Sequence, residues 1–201
     1  MNRTEFIQHI INQIGAKSYL EVGTQYCTNF NKIECIKKVG VDPGDFEGEY
    51  KRMTSDDYFA ECSEVFDVIF IDGLHHADQA LKDVKNALAH IQKNGIIIMH
   101  DCNPYSKETQ EIPETHMAGW TGNVWRAFLN MRRFKELTCI CFDVCTGMGF
   151  VQIVPCDNFI TLTAQEIDDL TYEDFDANRK ELLNLQDENY FKNILFELPK
   201  I

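Results

Sequence analysis

Residues 66–104 read FDVIFIDGLHHADQALKDVKNALAHIQKNGIIIMHDCNP. Two apolar runs, over 68–71 and 96–99, each end in an aspartate, Asp72 and Asp101. Histidines crowd both ends: His75 and His76 follow the first run, and His100 follows the second. Between them Ala77, Ala80, Leu81, Val84, Leu88 and Ile91 recur at three- and four-residue spacing, the stripe of a helix lying on a sheet, with Asn94-Gly95 as its stop. The runs are continuously apolar rather than alternating, which indicates strands buried on both faces of a parallel sheet. The segment therefore predicts strand, helix, parallel strand, with its polar groups gathered at one edge, where open α/β sheets bind ligands.

The same alternation extends outward. Residues 4–14 place Phe6, Ile7, Ile10, Ile11 and Ile14 on one helical face, with Thr4 as N-cap and Gly15 as stop. A strand over 19–22 turns through Gly23 into a helix near Thr28. A second strand over 36–41 ends at Asp42-Pro43-Gly44, a tripeptide with turn chemistry. A brief strand near 51–53 precedes a helix capped by the Thr54-Ser55-Asp56-Asp57 run. Beyond the central unit, residues 103–122 are a long loop of the kind that serves as a lid. A helix over 123–131, a hairpin over 137–142 and 149–154, and helices over 165–170 and 175–196 complete the chain. The fold class is α/β, a doubly wound, Rossmann-like, mostly parallel sheet with a C-terminal antiparallel hairpin. A single domain over 1–201 is expected, with its core over about 1–155 and a helical appendage over about 156–201.

Composition narrows the partners. A formal net charge of −13 argues against nucleic acid or an anionic membrane, and Arg126, Arg132 and Arg133 are the nearest approach to a basic site. The eight cysteines match no zinc-ligand spacing, and Cys139 and Cys141, in an apolar stretch, read as reduced core thiols, which suits a cytoplasmic protein. The opening MNRTEFIQHI lacks a signal-peptide run, and no apolar run approaches the ~20 residues of a membrane span. The apolar final helix is a candidate homodimer contact.

Two features carry chemistry at the first two strands. Gly23, at a strand-to-helix turn, lets a ligand approach the backbone. Asp42 stands 19 residues later at the end of the second strand, where acids of nucleoside-binding folds accept from ribose hydroxyls; turn formation is its competing role. The run Gly23-Thr24-Gln25-Tyr26-Cys27-Thr28 lacks the GxGxxG fingerprint, which disfavours a dinucleotide and allows a nucleoside without phosphates.

Glu21-Val22-Gly23, Val41-Asp42-Pro43, Ile71-Asp72-Gly73-Leu74-His75 and His100-Asp101-Cys102-Asn103-Pro104 together resemble the class I S-adenosylmethionine-dependent methyltransferases. The similarity is greatest to a small-molecule branch that includes sugar and macrolide O-methyltransferases, and it covers about residues 1–155. The resemblance implies methyl transfer to a hydroxyl of a small-molecule acceptor. It implies Glu21 near the methionine amino group, Gly23 beside the cofactor backbone, Asp42 on the ribose, Asp56 near the adenine and Asp72 at the methionine end. Related sugar enzymes place an Asp-x-x-His after strand four and an acidic pair after strand five around a divalent metal. Here those positions hold Asp72, His75, His100 and Asp101, so His75 is the candidate base and Asp72, His100 and Asp101 are candidate ligands for magnesium or manganese. Asn103 is a spare oxygen donor, His116 a second candidate base, and Trp120 a stacking surface for the acceptor, whereas Trp125 has core spacing. Cys27 departs from the family, which commonly has glycine there, and its Cβ is expected to narrow the cofactor pocket. A noncatalytic nucleoside-binding protein and a dinucleotide-dependent oxidoreductase are the competing readings.

Overall fold

A computed structural model describes all residues except 115–117, 196, 199 and 201. Helix α1 (Arg3–Ile14) starts one residue earlier than expected. Its cap is Asn2, not Thr4: the Asn2 side chain accepts from the Glu5 N–H while Glu5 reaches back to the Asn2 N–H, a capping box. The Thr4 hydroxyl instead donates to Asn29.

Strands β1 (Ser18–Val22), β2 (Lys37–Asp42), β3 (Lys51–Arg52), β4 (Phe66–Ile71) and β5 (Ile91–Met99) run parallel. Strands β6 (Thr138–Phe142) and β7 (Met148–Gln152) form the hairpin, β7 lying antiparallel to both β5 and β6. The sheet order is β3-β2-β1-β4-β5-β7-β6-β8, where β8 is Leu185–Gln186. The order turns back on itself between β1 and β4, the switch point at which such sheets open a ligand crevice.

Side chains of β4 alternate between two cores. Ile69 and Ile71 join Val84 of α3 (Ala77–Ala89) and Trp125 and Phe128 of α4 (Val124–Met131). Val68 and Phe70 join Phe6 and Ile10 of α1 on the other face. Both faces are buried, which explains the unbroken apolar runs.

Three local expectations change. Between β1 and β2 there is one 3₁₀ turn, Phe30–Lys32, in place of a full helix. Helix α3 ends at Ala89, where the His90 ring meets the Asn86 and Cys62 carbonyls. Ile91 then pairs with Phe66, and Asn94-Gly95 lies inside β5 next to a register shift, with Asn94 at φ +66°; a Gly-containing signal marked a bulge and not a helix stop. The expected helix over 175–196 is two, α6 (Tyr172–Leu182) and α7 (Glu188–Leu195), divided by left-handed Asn184 and by β8, which pairs with β6. Phe191 of α7 stacks on Phe6 of α1 at 4.0 Å, so the final segment contributes to the sheet and to its core. Helices α2 (Ser55–Glu61), capped by Thr54, and α5 (Ala164–Asp169) lie close to their expected places.

The three arginines form no patch. Arg126 donates to the carbonyls of Ile167, Asp168 and Leu170, Arg132 is buried on Asn158, and Arg133 donates to Asn130. All eight cysteines are free thiols, with Cys139 and Cys141 buried in β6. Among the described residues no helix is long and apolar enough to cross a membrane.

Candidate active site

A cleft of about 790 Å³ opens at the C-terminal ends of β1, β2, β4 and β5. Its lining includes Glu21, Gly23, Asp42, Asp56, Asp72, His75, His100 and Asp101, so the sequence-predicted residues meet in one place.

The first half is built by the loop after β1. Glu21 is buried, and its carboxylate accepts from the Tyr19 hydroxyl at 2.5 Å and the Asn29 amide at 2.8 Å. Burial is the larger influence and pushes its carboxyl up to about 7. Gly23 holds φ +88°, and a Cβ there would stand 2.0 Å from the Asp72 carbonyl oxygen. The loops after β1 and β4 cross so closely that only glycine fits between them. Asp42 accepts from the Gln25 N–H at 2.8 Å and the Gly44 N–H at 2.7 Å. It thus shapes both the loop after β1 and its own turn, while each carboxylate oxygen keeps a second lone pair for a ligand. Asp56, in the first turn of α2, pairs with Lys82 at 2.5 Å, which holds its carboxyl below the ordinary value.

Cys27 does not narrow the cleft. Its backbone is left-handed, φ +55°, the conformation glycine adopts without cost. The side chain is fully buried and lies against Gly48, where an added Cβ would sit 2.5 Å from its sulfur. Gln25, Tyr26 and Thr28 line the cleft and Cys27 does not.

The second half is a knot of four ionisable side chains. His75 Nε2 lies 3.4 Å from Asp72 and 3.2 Å from Asp101; His100 Nδ1 lies 3.3 Å and 3.0 Å from the same two carboxylates. Arg3 donates to the remaining oxygen of Asp72 at 2.6 Å, and Thr146 donates to Asp101. Burial opposes the charge on Asp72, but His100, His75 and Arg3 together hold it below the usual carboxylate range. Burial likewise opposes protonation of both imidazoles, yet Asp72 and Asp101 outweigh it and raise His75, and raise His100 further. The buried Nδ1 atoms of His75 and His100 have no aligned hydrogen-bond partner; for His100 the carboxylates are near in distance but off its N–H axis. Asp101 itself is left-handed at φ +61°, local strain of the kind found at functional sites.

One triad within this knot is compact. Among the described residues, the donor atoms of Asp72, His75 and Asp101 all lie within 4.8 Å of one another. His100, edge-on to Phe70, approaches the same two carboxylates with Nδ1, so both imidazoles border the Asp72–Asp101 pair. Asn103 is not a spare donor: its oxygen accepts from Arg179 and its amide donates to Asp143. His76 is the N-cap residue of α3. Trp125 is core, against Phe175, as its spacing predicted. His116 lies outside the described residues.

The long loop is fastened to the site at its far end. Asn123 donates its N–H to the His75 carbonyl, and its side chain accepts from the Ala77 N–H. Trp120 stacks on the His75 imidazole, ring centroids 5.1 Å apart, with its indole N–H held by the Glu111 carbonyl. Arg3, Asn29 and Thr146 escaped the sequence reading. None carries a local motif; Arg3 and Thr146 reach the cleft from elements distant in sequence, and Asn29 from the loop after β1.

Residues 34–102, about one third of the chain, match the family model described as a methyltransferase domain. The fold is also that of several solved structures. An O-methyltransferase from Bacillus cereus in complex with SAH shares 17% identity at a TM-score of 0.52, over 74% of this chain and 78% of that one. The chain has the class I methyltransferase fold. The methyltransferase from Podospora anserina, SAH-bound, gives 13% identity and a TM-score of 0.54, over 76% and 79%. An O-methyltransferase from Streptomyces achromogenes involved in tomaymycin synthesis, in complex with SAM, gives 14% and 0.51, over 74% and 78%. No curated protein matches the chain in sequence. In this methyltransferase fold the β1 loop and the Asp72–His75–Asp101 knot are the two ends of one crevice.

Proposed function

We propose that the chain is an S-adenosylmethionine-dependent O-methyltransferase acting on a hydroxyl of a small molecule. The observation that carries this reading is a single cleft that runs from the Glu21–Gly23–Asp42 loop to a histidine clamped by two carboxylates. The residues fit the cofactor. Glu21 is a buried carboxylate without a cation hydrogen-bonded to it, suited to an ammonium; Asp42 offers lone pairs to a diol; and Asp56 and Phe46 line the outer end. The missing glycine fingerprint still counts against a dinucleotide, and the outward-packed Cys27 removes the reason for a degenerate pocket.

The cofactor supplies a methyl group on a sulfonium, open to in-line displacement by the acceptor oxygen. His75 takes the hydroxyl proton at Nδ1, the nitrogen left without a partner, while Asp101 and Asp72 face Nε2 and fix the ring. Trp120 covers that ring, so the 103–122 loop lifts for acceptor entry and then excludes water. Arg3 is the single lysine or arginine among the described lining residues, which suits an uncharged acceptor, such as a sugar, over a phosphorylated one.

The three-group donor set favours a second reading of the same centre. Asp72, His75 and Asp101 would hold a divalent ion, magnesium or manganese, which would lower the acceptor hydroxyl's pKa. Activity that survives exhaustive chelation leaves His75 as the base; activity lost on chelation and restored by manganese assigns it to the ion.

The cofactor reading is tested by thermal shift with S-adenosylmethionine, S-adenosylhomocysteine and NAD. Stabilisation by both adenosyl ligands and not by NAD is expected; no shift with either at millimolar concentration sinks the reading.

A further inference from the structure

The charge of the cleft is one-sided. Glu21, Asp42, Asp56, Asp72 and Asp101 all line it, and among the described lining residues Arg3 is alone in carrying a permanent positive charge. Arg3 opens α1 and reaches Asp72 with Nη1 at 2.6 Å, while its side chain remains 38% exposed. A guanidinium carries five N–H donors in a fork shaped for a carboxylate, and Asp72 engages one of its nitrogens. Its charge is felt by both Glu21 and Asp72, the two acids at the inner end of the cleft.

Resting on the methyltransferase reading, the ligand entering this end is an amino acid attached to a nucleoside thioether or sulfonium. Its ammonium has carboxylates on every side. Its own carboxylate has like charges around it and needs a cation to be held there. We propose that Arg3 is the anchor of that carboxylate, sharing its fork between Asp72 and the ligand. The same contact orders the start of α1 over the cleft and leaves Asp72 bridged between Arg3 and the two histidines.

The test uses isothermal titration of the full chain with S-adenosylhomocysteine and with its decarboxylated analogue, which keeps the amine and lacks the carboxylate. Wild type is expected to bind the first at least about tenfold more tightly, the scale of one charge-assisted pair. Arg3→Gln weakens S-adenosylhomocysteine by that factor and leaves the analogue within about twofold, erasing the preference; Arg3→Lys, which retains the charge and perturbs the helix least, recovers part of it. Equal weakening of both ligands by Arg3→Gln overturns the proposal and makes Arg3 a strut for Asp72. A wild-type chain that binds both ligands equally overturns it too, with the methyltransferase reading intact. A wild-type chain that binds neither overturns that reading itself.

Discussion

The two ends of the cleft are built on opposite principles. In and around the β1 loop the acids are already engaged by the chain itself, while the buried Thr24 hydroxyl is left without a partner. Asp42 holds two backbone N–H groups, Glu21 holds Tyr19 and Asn29, and Gly23 fits against the Asp72 carbonyl with no space for a methyl group. At the ends of β4 and β5 the balance shifts toward titratable groups left open. Two imidazole nitrogens are buried without an aligned partner, four ionisable groups crowd together, and Asp101 is strained. A site that binds an invariant ligand can be preorganised by the backbone. A site that moves a proton has to keep a group unsatisfied.

If that contrast is correct, substitutions in the two halves should fail differently. His75→Ala is expected to reduce turnover by about 10²–10⁴-fold while S-adenosylhomocysteine affinity stays within about threefold, since a general base acts on the reaction and not on the ground-state cofactor. Single-turnover kinetics beside titration calorimetry separates the two, and full retained turnover would remove His75 from the mechanism.

Gly23→Ala should break the other half. The added Cβ meets a backbone carbonyl at 2.0 Å and the φ is +88°, so a loss on the order of 1–3 kcal/mol in stability is expected from conformational strain alone, together with loss of cofactor binding. Urea unfolding with and without S-adenosylhomocysteine measures both; an unchanged midpoint would show that the crossing of the two loops is not rigid.

The pH dependence sharpens the comparison. The Glu21 carboxyl lies at about 7 in the folded chain against an ordinary 4.5. Folding therefore retains a proton over that window, and this group's contribution to stability falls as pH rises through it. Binding of an ammonium beside Glu21 favours the ionised form, so below about pH 7 it must expel the proton. Affinity for S-adenosylhomocysteine should then fall by up to about tenfold per pH unit on the acid side. Glu21→Gln should flatten the profile; a profile that is already flat in wild type would place the ammonium elsewhere.

The smallest effect is expected at Cys27. Because its side chain lies on Gly48 and away from the cleft, Cys27→Gly should change cofactor affinity by less than about twofold. It should cost a little stability through the lost buried sulfur and added chain entropy. A large gain in affinity would mean that the side chain intrudes on the cofactor after all.

Legibility from sequence followed the range of the interactions. The β4–α3–β5 unit, the hairpin and the acids ending β1, β2, β4 and β5 were readable because periodicity and strand-end position are local properties. Helix α1 was found, but its cap was misplaced by two residues, since Asn2 and Thr4 are both capping residues and only the Glu5 partner decides between them. Asn94-Gly95 was misread because a glycine-containing pair serves a bulge as well as a helix stop. The break at Asn184 went unseen because β8 exists only by virtue of its partner β6.

The sequence by itself determined the sheet, its two apolar cores and the edge at which polar groups collect. It did so because a residue's place on a strand or helix face depends on its near neighbours. The tertiary structure decided which of those polar groups act together. His75 and His100 converge on the Asp72–Asp101 pair, Asn103 is taken up by Arg179, Cys27 turns away from the cleft, and Arg3 arrives from the first helix. Charge, hydrogen bonding and steric exclusion operate over a few ångströms of space, and residues separated by as many as 187 positions in the chain meet within that distance only after folding.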